Sequence, residues 1–352
     1  METREILRIA VEMNASDIFV VAGGPVHIKV DGKICALNDD RVMPDGTEHI
    51  IEDLYVMANR PMNKYRENGD DDFSFAVSGL ARFRVNTYKQ RNSMAAVIRV
   101  VVFSVPNAAD IHIPERVMEL SELKSGMILI TGTAGSGKST TSTCLIDRIN
   151  NTREAHIITM EDPIEFLHRN NLSIVSQREI SIDTKNYLTA LRASLREAPD
   201  VIFLGEMRDY ETIRTAMTAA ETGHLVIATL HTRNVVNSVD RIIDSFPAEQ
   251  QGQIKIQLSM VLAAVVSQQL LRSESGGLIP AFEIMIANSA IRNMIRESKT
   301  YQIDNAILSG RPEGMISMDT SILELYNKGI ISAERAINAA TNKEQMKRKV
   351  QG

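Results

Sequence analysis

Residues 132–139 read Gly-Thr-Ala-Gly-Ser-Gly-Lys-Ser, between a short apolar run, Met127–Thr131, and a segment with apolar residues at helical spacing, Thr140–Ile149. Strand, glycine loop, Lys-Ser and helix in that order form the context in which this pattern cradles phosphate. The glycines let the backbone turn tightly enough to aim several N–H groups at phosphate oxygens, and the helix beginning near Lys138 adds its positive end. Gly132, Thr133, Ala134, Gly135, Ser136, Gly137, Lys138, Ser139 and Thr140 are therefore the candidate nucleotide-binding residues. Lys138 would reach the β- and γ-phosphates of ATP, and the Ser139 hydroxyl would ligate Mg²⁺.

The rest of the chain sets limits on how such a loop is used. Its 352 residues leave room for more than one core. Apolar residues make up 44% and charged residues 24%, as in ordinary globular proteins, and a net charge of −5 gives no basic footprint for nucleic acid. Cys35 and Cys144 stand far apart without metal spacing, which argues against a cysteine zinc module and for a reducing compartment. The polar start Met1–Glu5 does not resemble a signal peptide, and the most apolar later stretch, Leu258–Val266, is too short to span a bilayer. The expected location is cytoplasmic, with any membrane association peripheral and through partners.

Residues 1–103 alternate helix-like and strand-like runs: a helical opening, strands at Ile18–Val21 and His27–Val30 with an Asp31-Gly32 turn, a helix over Glu48–Ala58, and strands at Phe73–Val77, Ala81–Tyr88 and Ala95–Val102. This reads as a small α+β domain. Residues 104–121 carry Pro106 and Pro114 without periodicity and read as a linker. Over 122–288, apolar runs at Met127–Ile130, His156–Met160, Val201–Leu204 and Leu225–Leu230 alternate with helical segments such as Thr184–Arg196 and Tyr210–Ala220. That alternation predicts a parallel sheet covered on both faces. Residues 289–352 read as helical.

Hydrolysis needs more than a binding loop, and three clusters supply candidates. Glu161 and Asp162 follow an apolar strand, at the edge where ligands usually sit; Glu161 could polarise water, and Asp162 could hold Mg²⁺ through its hydration shell. In Val201-Ile202-Phe203-Leu204-Gly205-Glu206, an apolar strand ends in an acid, and Gly205 stands where many ATPases keep Asp. Glu206 is then the acid left to position metal and water. His224 and His231 bracket the third run; on a regular strand they leave opposite faces, which does not suit a shared zinc ion. In the N-terminal region, strand periodicity puts Arg82 and Arg84 on one face and Ala81, Phe83 and Val85 on the other, with Arg91 and Arg99 adding to the basic set. Solvated arginines and arginines reaching a phosphate held by another domain or subunit are both open readings. An arginine finger is worth roughly 10³–10⁵ in rate.

Together these residues resemble the secretion ATPase superfamily, most closely its pilus retraction branch. The segments that carry the resemblance include Met160–Phe166, Ser176–Glu179, Leu191–Glu197, Gly205–Asp209, Thr218–His224, Thr229–Thr232 and Ser245–Glu249. Ala290-Ile291-Arg292-Asn293-Met294-Ile295-Arg296-Glu297 resembles the C-terminal helix motif of that branch. The resemblance implies an α/β fold: a RecA-like ATPase domain, a smaller N-terminal α+β PAS-like domain and a helical C-terminus. It also implies a homohexamer that hydrolyses ATP at subunit interfaces, using Glu161, Glu206, His224, His231, Arg82, Arg84 and Arg99, with Mg²⁺ at Ser139, Asp162 and Glu206. The work would be pilus retraction and twitching motility through an inner-membrane platform protein, with no direct nucleic-acid contact. Extension and secretion members usually carry a four-cysteine zinc insertion and a longer N-terminal region, and this sequence carries neither. Two departures stand out: Gly132-Thr133-Ala134-Gly135 replaces the usual Gly-Pro-Thr-Gly, and Ile18-Phe19-Val20 replaces a more polar stretch. A zinc-less pilus-assembly, secretion or DNA-uptake ATPase of the same superfamily, a small-molecule phosphotransferase and a nucleotide-switched assembly factor are the competing readings.

Overall fold

The structure, a computed structural model, describes residues 1–30, 32–101 and 105–351. Asp31 of the expected turn, Val102 at the end of an expected strand, and Phe103, Ser104 and Gly352 lie outside the described residues. The chain divides into two compact units, Met1–Ser104 with Glu165–Leu167, and Val105–Ile164 with His168–Gly352.

The N-terminal unit carries α1 (Thr3–Glu12), β1 (Asp17–Val20), β2 (His27–Val30), β3 (Lys33–Ala36), α2 (Pro44–Met57), α3 (Asn63–Asn68), β4 (Asp70–Val77), β5 (Ala81–Gln90) and β6 (Ser93–Val101). The strands form one sheet in the order β3-β2-β1-β6-β5-β4, and every neighbouring pair is antiparallel. Strict alternation on β5 buries Ala81, Phe83, Val85 and Thr87 and leaves Arg82, Arg84 and Asn86 partly exposed. The buried face meets Ile6, Leu7 and Ala10 of α1 and Ile51, Leu54 and Tyr55 of α2, so one apolar stripe per helix suffices to close the core.

The C-terminal unit begins with the short helix α4 (Glu115–Met118). It continues through β7 (Gly126–Thr131), α5 (Lys138–Thr152), β8 (His156–Glu161), β9 (Ile174–Glu179), α6 (Tyr187–Ser194) and β10 (Val201–Leu204). There follow α7 (Tyr210–Glu221), β11 (Leu225–Leu230), α8 (Val235–Asp244), α9 (Ala248–Val261), β12 (Leu262–Arg272) and β13 (Leu278–Ile286). Five helices close the chain: α10 (Ser289–Arg296), α11 (Ile303–Ser309), α12 (Met318–Asn327), α13 (Ala333–Ala339) and α14 (Lys343–Gln351). The sheet order is β13-β12-β7-β11-β10-β8-β9. β12, β7, β11, β10, β8 and β9 run parallel, and β13 pairs antiparallel with β12. Helices on both faces explain why β10 and β11 are buried along their whole length. On β7, Met127 and Leu129 face a core shared with Leu191, Ile213, Met217 and Ile242, while Ile128 and Ile130 face one shared with Leu145 and Ile149 of α5. A further core joins Ile279 and Ala281 of β13 to Met318, Ile322 and Met346 of the last helices and to Ile331 in the turn between α12 and α13.

The stretch expected to act as a linker is different in kind. From Val105 on it belongs to the C-terminal unit, and Ile113, Val117, Met118 and Leu120 are buried in the α5 core. Its apolar residues are too few and its prolines too close for any period to emerge. They nevertheless cover one face of the sheet. The apolar stretch Leu258–Val266 is divided between the end of α9 and the start of β12.

Candidate nucleotide site

Parallel strands deliver their C-terminal ends to one edge of the sheet, and the chemistry of this chain collects there. At the end of β7 the backbone turns through Gly132 (φ 150°) and enters α5 from Gly137 (φ 87°), a left-handed conformation that favours glycine. A Cβ on Gly132 would stand 2.4 Å from the Ser136 hydroxyl. Thr133, Ala134 and Gly135 are exposed at the crest, whereas Ser136 and Lys138 are buried. Lys138 Nζ donates to the carbonyls of Gly132 and Thr133, both at 2.9 Å, and so folds over the loop. Among the described residues the buried Ser136 hydroxyl has no hydrogen-bond partner, and no side chain caps the start of α5. A buried orphan hydroxyl and an uncapped helix start are groups that a bound anion would satisfy. Ser139 and Thr140, in the first turn of α5, are half-buried.

Three strands further along the sheet, β8 ends at Glu161, whose side chain is almost fully buried. Its Oε1 accepts from Thr159 Oγ1 at 2.6 Å and from Gln177 Nε2 at 3.1 Å, which fixes the carboxylate at the edge. Asp162, next in sequence, is exposed. Just past β10, the Gly205 N–H donates to the Met160 carbonyl at 2.8 Å, and Thr229 Oγ1 donates to the Gly205 carbonyl. A Cβ at Gly205 would lie 3.1 Å from both the Met160 carbonyl and the Tyr187 hydroxyl. A side chain at Gly205 would therefore press on both groups, and Glu206, the next residue, is the candidate acid at this strand end.

Burial pulls the Glu206 carboxyl upward, but hydrogen bonding and charge from Arg208 and His231 outweigh it and hold the group below the usual glutamate range. Arg208 Nε lies 2.7 Å and His231 Nε2 3.4 Å from Glu206 Oε1. Glu206 is therefore ionised at neutral pH. Tyr187, at the start of α6, has its hydroxyl pushed well above the ordinary tyrosine range, first by burial and then by the charges of Asp162, Glu206 and Glu161. Arg208 and Tyr187 were not read from the sequence as site residues. Arg208 is the fourth residue of the Gly205–Asp209 segment, so a signal for it was present; Tyr187 lies in a helix start with none.

The structure thus brings Glu161, Asp162, Glu206 and His231 to the edge where Gly132–Thr140 lie. It does not bring His224 there. Six residues of β11 separate the two histidines, and at about 3.3 Å per residue they stand at opposite ends of the strand. His224 Nδ1 instead lies 2.9 Å from the Ala219 carbonyl and 3.2 Å from Thr222 Oγ1, closing the end of α7. In the N-terminal unit, Arg84 on β5 stands directly opposite Arg99 on β6, and Arg99 Nε lies 3.3 Å from Asp17 Oδ1. Arg84, Arg99, Asp17, Asp72 and Asn86 line a pocket of about 310 Å³. Arg82 shares the face with Arg84. Arg91 does not join them: it occupies the tight turn after β5, at φ 45°.

The family model described as "Type II/IV secretion system protein" matches residues 2–350. The chain belongs to this family. It is 43% identical over 336 residues to the type IV pilus retraction ATPase PilT of Pseudomonas aeruginosa, covering 96% of this chain and 97% of that protein. It is 41% identical over 342 residues to a twitching motility protein of Neisseria gonorrhoeae, covering 97% and 91% of the two chains. Among solved structures, the pilus retraction motor PilT with bound ADP superposes with a TM-score of 0.90 at 45% identity, over 99% of both chains. As a Type II/IV secretion system family ATPase, the chain carries the RecA-like parallel sheet and helical C-terminus of that fold. No helix among the described residues is long and apolar enough to cross a membrane.

Proposed function

We propose that this ATPase is a hexameric motor that drives type IV pilus retraction through an inner-membrane platform protein, working in the cytoplasm at the membrane face. The observation that carries the reading is similarity to a pilus retraction ATPase along 96% of the chain, joined to an edge that holds loop, acids and histidine together. The orphan hydroxyl of Ser136, the ionised Glu206 and the uncapped start of α5 fit a nucleotide with its metal. Gly132–Thr140 hold the phosphates, and Lys138 leaves the Gly132 and Thr133 carbonyls to reach the β- and γ-phosphates. Ser139, Glu206 and Asp162 are the residues that would hold Mg²⁺, which would supply positive charge to neutralise charge developing on the phosphates. Glu161 orients and polarises the attacking water, held in place by Thr159 and Gln177. His231, beside Glu206, senses the γ-phosphate and passes its loss to α8 through the Thr232–Asn234 turn. Arg82, Arg84 and Arg99 supply positive charge to the phosphates of a neighbouring subunit.

Deletion of the gene, with complementation by the wild type or by Glu206→Gln, tests the direction of force. Retraction predicts excess surface pili and lost twitching in the deletion, cured by the wild type and not by Glu206→Gln. Bald cells would reassign the protein to assembly.

A further inference from the structure

The nucleotide loop is supported from behind by β12, to which the reading above gives no role. Two buried polar pairs lie there: Thr131 at the end of β7 with Ser267 on β12, and Thr141 in α5 with Gln268 on β12. Thr131, Thr141 and Ser267 are fully buried, and Gln268 is 4% exposed. Thr131 Oγ1 and Ser267 Oγ lie 2.7 Å apart. Thr141 Oγ1 donates to Gln268 Oε1, also at 2.7 Å. With its oxygen taken by Thr141, the Gln268 amide turns its NH₂ group toward the loop. A Cβ on Gly137 would stand 2.7 Å from Gln268 Nε2, and one on Gly132 only 2.4 Å from the Gln268 backbone carbonyl. A single residue therefore abuts both glycines at which the loop departs from strand and enters helix. Its backbone sets the first and its side chain the second.

A glutamine here is not explained by stability. Burying an amide is unfavourable unless its bonds are met, and an aliphatic side chain would fill the same space without that condition. What an aliphatic side chain cannot do is fix a direction. A neutral amide locked at one end by a hydroxyl presents an oriented N–H dipole to a loop that must hold its own N–H groups toward phosphate.

We infer that Gln268 is the positioning residue of the nucleotide loop, holding Gly132 and Gly137 in the shape that receives the phosphates of a nucleoside triphosphate. It acts through the loop, and it ties loop shape to β12 and so to β13, the strand on which the last helices pack. The inference rests on the reading that Gly132–Ser139 binds those phosphates.

Three variants of the full chain test it: Gln268→Glu, Gln268→Met and Thr141→Val, each measured for Kd of a fluorescent ADP analogue, KM and kcat for ATP, and Tm. Gln268→Glu keeps the acceptor for Thr141 and replaces the donor facing the loop with a negative charge, so nucleotide binding should weaken roughly tenfold or more. Gln268→Met and Thr141→Val, which lose direction without adding charge, should weaken it by about three- to tenfold, with KM rising more than kcat falls. If Gln268→Glu fails to fold, the other two variants decide. Binding within twofold of the wild type in the folded variants, whatever their Tm, would overturn the inference. Lys138→Ala separates the two levels. If it also bound nucleotide normally, the loop reading itself would fall; if it lost binding while the Gln268 variants kept it, only the positioning role would.

Discussion

Glu206 is held between opposing pulls: burial raises its carboxyl, and the Arg208 guanidinium and His231 together lower it further than burial lifts it. Removing Arg208 tips that balance. In Arg208→Ala the carboxyl should move up, so protonation should begin to disable the site at a higher pH. The acid limb of the kcat/KM profile is then expected to shift toward neutrality, with little change above it; an unshifted limb would show that Glu206 does not set it. The acids were legible because each sits one or two residues beyond an apolar strand, a purely local signal. Arg208 was less so, because its importance lies in a 2.7 Å contact that the sequence does not display. Gln268 was illegible for a stronger reason. It lies 127 positions from its partner Thr141, and only the pairing of β12 with β7 brings it under the loop.

Among the elements, β7, β8, β10 and β11 were readable as near-continuous apolar runs because both their faces are covered. The helix expected over Thr184–Arg196 forms only over Tyr187–Ser194. Asn186 caps it, its side chain accepting from the Thr189 N–H at 2.9 Å, and Asp183 is drawn back to the Glu179 N–H at 2.8 Å instead of extending the helix. His224 stands away from the loop edge for an element-scale reason: a strand that is short in sequence still separates its ends. The junction of β13 with α8 carries a testable consequence. Glu283 is buried and accepts from the Val235 N–H, at the start of α8, at 2.8 Å. Burial pushes its carboxyl up from 4.5 to about 7, Asp304 and Asp319 adding to the rise. The folded state thus holds a proton that the unfolded state has released. This group's contribution to stability is favourable near pH 4.5 and is lost as pH rises toward 7. The loss is on the order of 3 kcal/mol. Glu283→Gln keeps an acceptor for Val235 and removes the charge, so its Tm should exceed that of the wild type at pH 8 and approach it at pH 5. Equal Tm differences at the two pH values would contradict the assignment.

For the whole molecule, the acids and the loop at the edge of the RecA-like sheet are one proposed half of a catalytic site, and the arginines of the N-terminal unit are the proposed other half. Which subunit supplies them can be decided by complementation between two inactive variants. Lys138→Ala disables the loop and leaves the arginines; Arg84→Ala disables an arginine and leaves the loop. Each alone should lose most turnover, since a charge donated to the transferring phosphate is worth roughly 10³-fold or more. If the arginine acts within its own subunit, every subunit of a mixed ring carries one broken half, and mixing restores nothing. If it acts on a neighbour, an Arg84→Ala subunit offers its intact loop to the intact arginine of an adjacent Lys138→Ala subunit. Around a ring of head-to-tail interfaces, equal random mixing makes about one interface in four complete. Co-expressed variants should then recover up to about a quarter of wild-type ATP turnover. The recovery should vanish when both substitutions are placed in the same chain and mixed with either single variant, because no interface then joins an intact loop to an intact arginine. A mixture no more active than its parts would mean that the two halves belong to one chain.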